Sequence, residues 1–221
     1  AVAVVTDGSA VLGLGNIGPE AAMPVMEGKS ILFKALADID AFPICLDTQD
    51  NDAIIQTVRY LAPSFGGINL EDIAAPRCFD IEDALQDLGI PVFHDDQHGT
   101  AIAVLAGVIN ALLVTGRRIE DTKFVFAGAG AGGIGSTKLL LDHGATHVTL
   151  VDSTGIISRN RSDLTAVKSA MLDTTNPDNT HGGLADAMRG ADVFIGLSAA
   201  DAVSPEMVSS MAKDSIVFAM A

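Results

Sequence analysis

Residue types capable of chemistry gather in a few short stretches. The stretch "PVFHDDQHGT", residues 91–100, sets Asp95 and Asp96 side by side between His94 and His98, directly after an apolar run. Adjacent carboxylates at the exit of a buried element repel each other and resist desolvation, so a cation is what makes the pair tolerable. "INLED" carries a second adjacent pair, Glu71–Asp72, also after an apolar run. Carboxylates converging in this number suit a hard divalent ion, Mg²⁺ or Mn²⁺, that stays partly open to water or substrate. His94 and His98 are possible ligands, but a carboxylate-rich site already suits a hard ion, which favours a supporting or packing role for both. Lys29, in "MEGKSILFK", is bracketed by apolar residues on a helix expected to face the core. A partly buried lysine near a cation and a cofactor has a lowered pKa and is fitted for general-base work. From this segment alone a surface lysine is an equal reading.

A glycine-rich stretch points to a second kind of chemistry. "FAGAGAGGIG" spaces Gly128, Gly130 and Gly133 as GxGxxG between a strand-like and a helix-like run. The first glycine allows a tight turn, the second lets backbone approach a pyrophosphate, and the third permits close helix–strand packing. Amides at the following helix start favour the phosphates. Ala131 and Ile134 lie in the same turn and join the candidate cofactor-binding set. Asp152 ends the next strand, where an acid would hold the ribose hydroxyls of an adenosine. Ser153, Thr154 and Gly155 follow it, with no immediate Arg or Lys for a 2′-phosphate. That favours NAD over NADP, although Arg159 and Arg161 come next and could fold back.

These residues need elements to position them, and the pattern supplies two successive strand–helix series. "VAVVTDG", "AFPICLD", "GGINLED" and "IPVFHDD" read as strands, short and nearly all apolar, as in a parallel sheet covered on both faces. Helices run through "EAAMPVMEGKSILFKALADI", kinked or broken at Pro24, "NDAIIQTVRYLA" and "APRCFDIEDALQDLG". The strand ends of this half carry Asp7, Asp47 and both acidic pairs, and ligands bind beyond such ends in open parallel sheets. A long apolar helix, "GTAIAVLAGVINALLVTG", leads to "KFVFAG", "HVTLVD", "DVFIGL" and "SIVFAM" as strands, with helices between and one polar segment. Ser204–Pro205 is a good helix start. The expected fold is α/β, with two consecutive parallel-sheet domains, residues 1–98 and 99–221, the second a Rossmann-type dinucleotide-binding domain.

Bulk properties exclude other classes. The 221 residues are 48% hydrophobic and 19% charged, which is globular composition, and the net charge of −15 disfavours a nucleic-acid or anionic-membrane partner. Cys45 and Cys78 lie in apolar contexts and read as reduced core thiols, which fits a cytoplasmic setting. No signal-peptide pattern is expected, and no apolar stretch reads as long and uninterrupted enough to span a bilayer. The ends "AVAVV" and "SIVFAMA" read as cut core strands, so a segment of a longer protein is expected.

The ordered set "VTDGSAVLGLGNIGPEAAMPVMEGK", "INLEDI", "FHDDQHGTA" and "FAGAGAGGIG" resembles the malic enzymes, especially the shorter bacterial type, over essentially the whole chain. The resemblance implies a substrate and metal domain followed by an NAD(P)-binding domain. It implies oxidation of L-malate to pyruvate and CO₂ by NAD or NADP with Mg²⁺ or Mn²⁺, in a homodimer or higher homo-oligomer. It puts the catalytic lysine on Lys29, the metal-binding carboxylates on Glu71, Asp72 and Asp96, and a neighbouring active-site aspartate on Asp95. The family's catalytic tyrosine is expected upstream of Ala1. Rival readings are a malolactic enzyme, converting malate to lactate, and a non-catalytic nucleotide-binding module.

Overall fold

The computed structural model describes residues 1–220, and Ala221, the last residue of the expected second domain, lies outside the described residues. The chain divides into two compact units, Ala1–Asp96 and Gln97–Ala221.

In the first unit, β1 (Val2–Thr6), β2 (Ala41–Cys45), β3 (Gly67–Leu70) and β4 (Val92–His94) form a parallel sheet in the order β2-β1-β3-β4. The central strands β1 and β3 are the most deeply buried, while the edge strand β2 is half-buried and tolerates Pro43, which lacks an N–H to donate. Leu70 of β3 stands opposite His94 of β4. That register sets the residues leaving the two strands, Glu71–Asp72 and Asp95–Asp96, abreast. Three helices belong to this unit: α1 (Gly18–Ala37), α2 (Asn51–Leu61) and α3 (Arg77–Asp83). Asp50 caps α2, its carboxylate accepting from the Ala53 N–H at 2.8 Å, and Ile54 and Val58 are the face it buries.

The structure departs from the sequence expectation in three places here. α1 runs unbroken through Pro24. The proline withholds one N–H from the Glu20 carbonyl, and Glu20 lies on an exposed stretch where water can serve that carbonyl. Nor is α1 a core-facing helix: only Ala22 and Met26 are buried, and Ile31, Leu32 and Leu36 are largely exposed. The third departure is that no loop separates β4 from the next helix, α4 (Asp95–Thr115). Asp95 and Asp96 form its first turn, where carboxylates face the partial positive charge of unpaired N–H groups. α4 has 21 residues, and its most apolar 18-residue stretch has a mean hydropathy of 1.7, long and apolar enough by length and composition to cross a bilayer. This corrects the expectation that no apolar stretch is long and uninterrupted enough to span a bilayer.

The remainder of α4 opens the second unit and buries Val104, Val108 and Leu112. Its sheet has the order β7-β6-β5-β8-β9, from β5 (Lys123–Ala127), β6 (His147–Asp152), β7 (Gly155–Ile156), β8 (Val193–Gly196) and β9 (Ile216–Ala219). All pairings are parallel except that of β7, which runs antiparallel to β6. The strand order turns back at β5, with β6 on one side and β8 on the other, which opens a crevice at the carboxyl ends. Helices α5 (Ala131–Asp142), α6 (Ala166–Met171), α7 (Leu184–Met188) and α8 (Pro205–Ser209) complete the unit. Ser204 caps α8 through the Met207 N–H. The segment read as merely polar contains β7 and α6.

Candidate functional site

Glu71 and Asp72 leave β3, and Asp96 lies in the first turn of α4. One carboxylate oxygen from each lies within 4.8 Å of the others. Three features hold them there. The Asn69 amide donates to Glu71 Oε2 at 2.7 Å, the Asp72 N–H donates to Asp96 Oδ2 at 3.1 Å, and His94 Nε2 lies 3.4 Å from the same Asp96 oxygen. Asp72 adopts a left-handed backbone with φ 53°. Lys29, on α1, bridges the cluster to its neighbour, with Nζ 2.6 Å from Asp95 Oδ2 and 3.1 Å from Glu71 Oε2. The side chains of Lys29, Asp95 and Asp96 remain 22%, 31% and 33% exposed, so a small ligand has access.

The electrostatics are those of an anionic pocket short of positive charge. Burial pushes the Asp72 carboxyl up to about 7, and repulsion from Asp96 and Glu71 adds to the effect. Burial likewise raises Glu71 to about 6 against the opposing pull of Lys29, and raises Asp96. Three oxygen donors whose charged forms are disfavoured until a positive charge arrives fit a hard divalent cation. The buried thiol of Cys78, pushed up to about 12, stays protonated and offers no thiolate.

Burial lowers the pKa of Lys29, but the Asp95 and Glu71 carboxylates outweigh burial and hold it above the ordinary value. The expectation of a lowered pKa is for a lysine beside a cation, whose charge would offset these two carboxylates. Two strand-end acids also stay out of the cluster: Asp47 is exposed, and Asp7 is buried against Arg77 at 2.6 Å. His98 is likewise exposed and outside the acidic group. Sequence reasoning missed Asn69. Its signal was spacing, because two residues before Glu71 on an extended strand puts both side chains on one side.

In the second unit the glycine turn joins β5 to α5. Gly128 has φ +115°, and a Cβ on Gly133 would stand 1.9 Å from the Gly128 carbonyl oxygen, so only glycine lets the helix start so close to the strand end. Gly130 faces open space, the side from which a phosphate would approach the amides of Ala131 and its neighbours. Ile134 is buried, and its N–H bonds the Gly130 carbonyl, so it supports the turn from within. Beyond these strand ends lies a cleft of about 530 Å³ lined by Gly128, Asp152, Thr154, Ser198 and Ala199, among others.

Asp152 does not stand alone there. Arg161 folds back onto it with a forked contact, 2.7 Å to Oδ1 and 3.1 Å to Oδ2, and Lys168 on α6 reaches Oδ2 at 2.6 Å. Although burial opposes ionisation, these two cations hold the carboxyl at about 2. The sequence argument for NAD assumed no basic group near this position. The chain between β7 and α6, residues 157–165, returns one, and α6 brings another.

Fold and glycine turn together define a two-unit α/β protein whose second unit is a Rossmann-type dinucleotide-binding domain. The profile of the malic enzyme N-terminal domain matches residues 1–86, and that of the malic enzyme NAD binding domain matches residues 97–221. The chain belongs to the malic enzyme family. It is 57% identical over 222 residues to a bifunctional malic/malolactic enzyme from Bacillus subtilis, covering all of this chain and 54% of that protein. It is 50% identical to an NADP-dependent malic enzyme from Rhizobium meliloti, covering all of this chain and 29% of the relative. The crystal structure of an NAD-dependent malic enzyme from Thermotoga maritima superposes with a TM-score of 0.96 at 52% identity, covering 100% of this chain and 59% of that one. The chain thus spans no more than about six-tenths of any of these three proteins.

Proposed function

We propose that the protein carrying this chain oxidatively decarboxylates L-malate to pyruvate and CO₂ with reduction of NAD or NADP. The observation that supports this best is the convergence of Glu71, Asp72 and Asp96 on one site with Lys29 bridging Glu71 and Asp95. The three carboxylates would hold Mg²⁺ or Mn²⁺, which supplies Lewis-acid polarisation of the substrate's oxygens. With a cation offsetting the carboxylates that hold its ammonium, Lys29 would be placed to take the proton of the C2 hydroxyl, Asp95 anchors the lysine, and the bound nucleotide would supply the hydride acceptor. Gly128, Gly130 and Gly133 would hold the pyrophosphate at the start of α5, and Asp152 would face the adenosine ribose. With Arg161 and Lys168 against Asp152, the local set of charges accepts a ribose diol and does not reject a 2′-phosphate, so we assign the cofactor as NAD(P).

The name of the Bacillus subtilis relative supports one second reading, a malolactic outcome in which the nucleotide is retained and lactate leaves. We further propose a homo-oligomer, because exposed Ile31, Leu32 and Leu36 give α1 an apolar face that monomers rarely leave uncovered. A cytoplasmic location accords with Cys45 and Cys78 as free thiols. We assign neither a nucleic-acid nor a membrane partner, reading α4 as a domain helix that buries Val104, Val108 and Leu112.

The test is an assay of the full-length protein with malate, Mn²⁺ and each nucleotide, with product identification. Pyruvate with stoichiometric reduced nucleotide is expected. Lactate without net reduction selects the second reading, and no malate consumption under any combination refutes both.

A further inference from the structure

The loop bearing Glu71 and Asp72 has two reasons to relax away from the geometry described above. Its carboxylates lie within 4.8 Å of one another and of Asp96 and so repel, and Asp72 occupies a left-handed backbone with φ 53°. Something must oppose both, and the turn after β1 is placed to do so. Asp7 is wholly buried, and each of its oxygens is occupied. Oδ1 accepts from the Ser9 N–H at 3.0 Å and the Ser9 hydroxyl at 2.5 Å, while Oδ2 accepts from Arg77 at 2.6 Å. The Ser9 oxygen accepts in turn from the Ala74 N–H at 2.9 Å and from Arg77 at 3.0 Å. One residue on, the Ala10 N–H donates to the Asp72 carbonyl at 2.9 Å. The other Arg77 nitrogen donates to the Gln49 carbonyl at 2.8 Å, tying the loop between β2 and α2 into the same network.

We propose that Asp7, Ser9 and Arg77 form a positioning clamp that holds residues 71–77 so that Glu71 and Asp72 meet Asp96 before any cation arrives. The turn after β1 grips that loop at the Asp72 carbonyl, the Ala74 N–H and the Arg77 guanidinium. Asp7 takes no part in the three-carboxylate group, so its role is indirect. The pairing is self-contained: a buried carboxylate whose oxygens are all engaged by a guanidinium, a hydroxyl and an amide resists being opened, since removing one partner leaves a buried charge uncompensated. The glycine between Asp7 and Ser9 is required by the same turn, because a Cβ on Gly8 would stand 2.3 Å from the Gly18 carbonyl oxygen.

This inference rests on the cation reading above, and the experiment separates the two. Mn²⁺ binding to the full-length protein would be followed by the electron paramagnetic resonance of free aquo-Mn²⁺, well below each variant's melting temperature, with NAD(P) affinity measured in parallel. Ser9→Ala, which deletes only the bridging hydroxyl, and Arg77→Met should each weaken Mn²⁺ binding about 10–100-fold, the usual worth of an outer partner of a metal ligand. Arg77→Lys should fall between Arg77→Met and the parent, and nucleotide affinity should not move. A role in general stability alone would lower the melting temperature and leave Mn²⁺ affinity intact in the folded protein. Tight Mn²⁺ binding by the parent and equally tight binding by folded Ser9→Ala would overturn the clamp alone. No Mn²⁺ binding by the parent would overturn the cation reading, and the clamp with it. Should Arg77→Met fail to fold, Ser9→Ala decides.

Discussion

Neutralising Asp72 should make the cation-free protein more stable, not less. Its carboxyl titrates at about 7 in the fold, against about 4 for an ordinary aspartate. The folded state therefore holds this proton to higher pH than the unfolded state does. Stability contributed by the protonated form is complete below pH ~4, declines as pH rises toward ~7, and stays low above that. Three pH units at ~1.4 kcal/mol each put the upper bound near ~4 kcal/mol, and relaxation of Glu71 and Asp96 brings it to roughly 2–4 kcal/mol. Asp72→Asn removes the charge while keeping a side chain that tolerates the left-handed backbone. In the full-length protein with EDTA, the variant should gain roughly 2–4 kcal/mol at pH 8 but only about 1.5 kcal/mol at pH 5, where the parent is already largely protonated at this site. Denaturant midpoints at the two pH values give the comparison. Excess Mn²⁺ should then stabilise the parent and leave the variant unchanged. A gain of equal size at both pH values, or none at pH 8, would show that charge repulsion at Asp72 is not what strains the empty site.

Lys29→Ala should lower kcat about 10²–10⁴-fold in the full-length enzyme, the worth of a positioned proton-transfer group, with NAD(P) affinity near that of the parent. An unchanged kcat would return Lys29 to a purely electrostatic partner of Glu71 and Asp95. Lys168→Ala should weaken NADP binding about 10-fold while NAD binding changes less than 3-fold, because only a 2′-phosphate gains a charge-assisted contact from that ammonium. Equal losses for the two nucleotides in a titration would mean that Lys168 serves only to hold Asp152.

The sequence by itself determined the order and period of the strands and helices, and with them the α/β class and the second unit's Rossmann character. Short apolar runs bounded by glycine turns can hardly be read otherwise, and GxGxxG between a strand and a helix fixes its own geometry, as Gly133 against the Gly128 carbonyl makes plain. The acidic pairs were legible for a similar reason: adjacent carboxylates after buried strands are costly enough to need a cause. What lay beyond the sequence was which distant groups meet. Nothing in the spacing of Asp7 and Arg77, 70 residues apart, distinguishes a buried ion pair from another candidate ligand. Nor does it reveal that Arg161 and Lys168 converge on Asp152. Whether Lys29 gains or loses its proton more readily depends on the balance between burial and two carboxylates brought from β3 and α4, a difference of opposing terms set by ångström-scale distances. Local pattern specifies elements because periodicity and turn chemistry act over a few residues. Charge states and pairings are decided by through-space terms that only the folded chain brings within range.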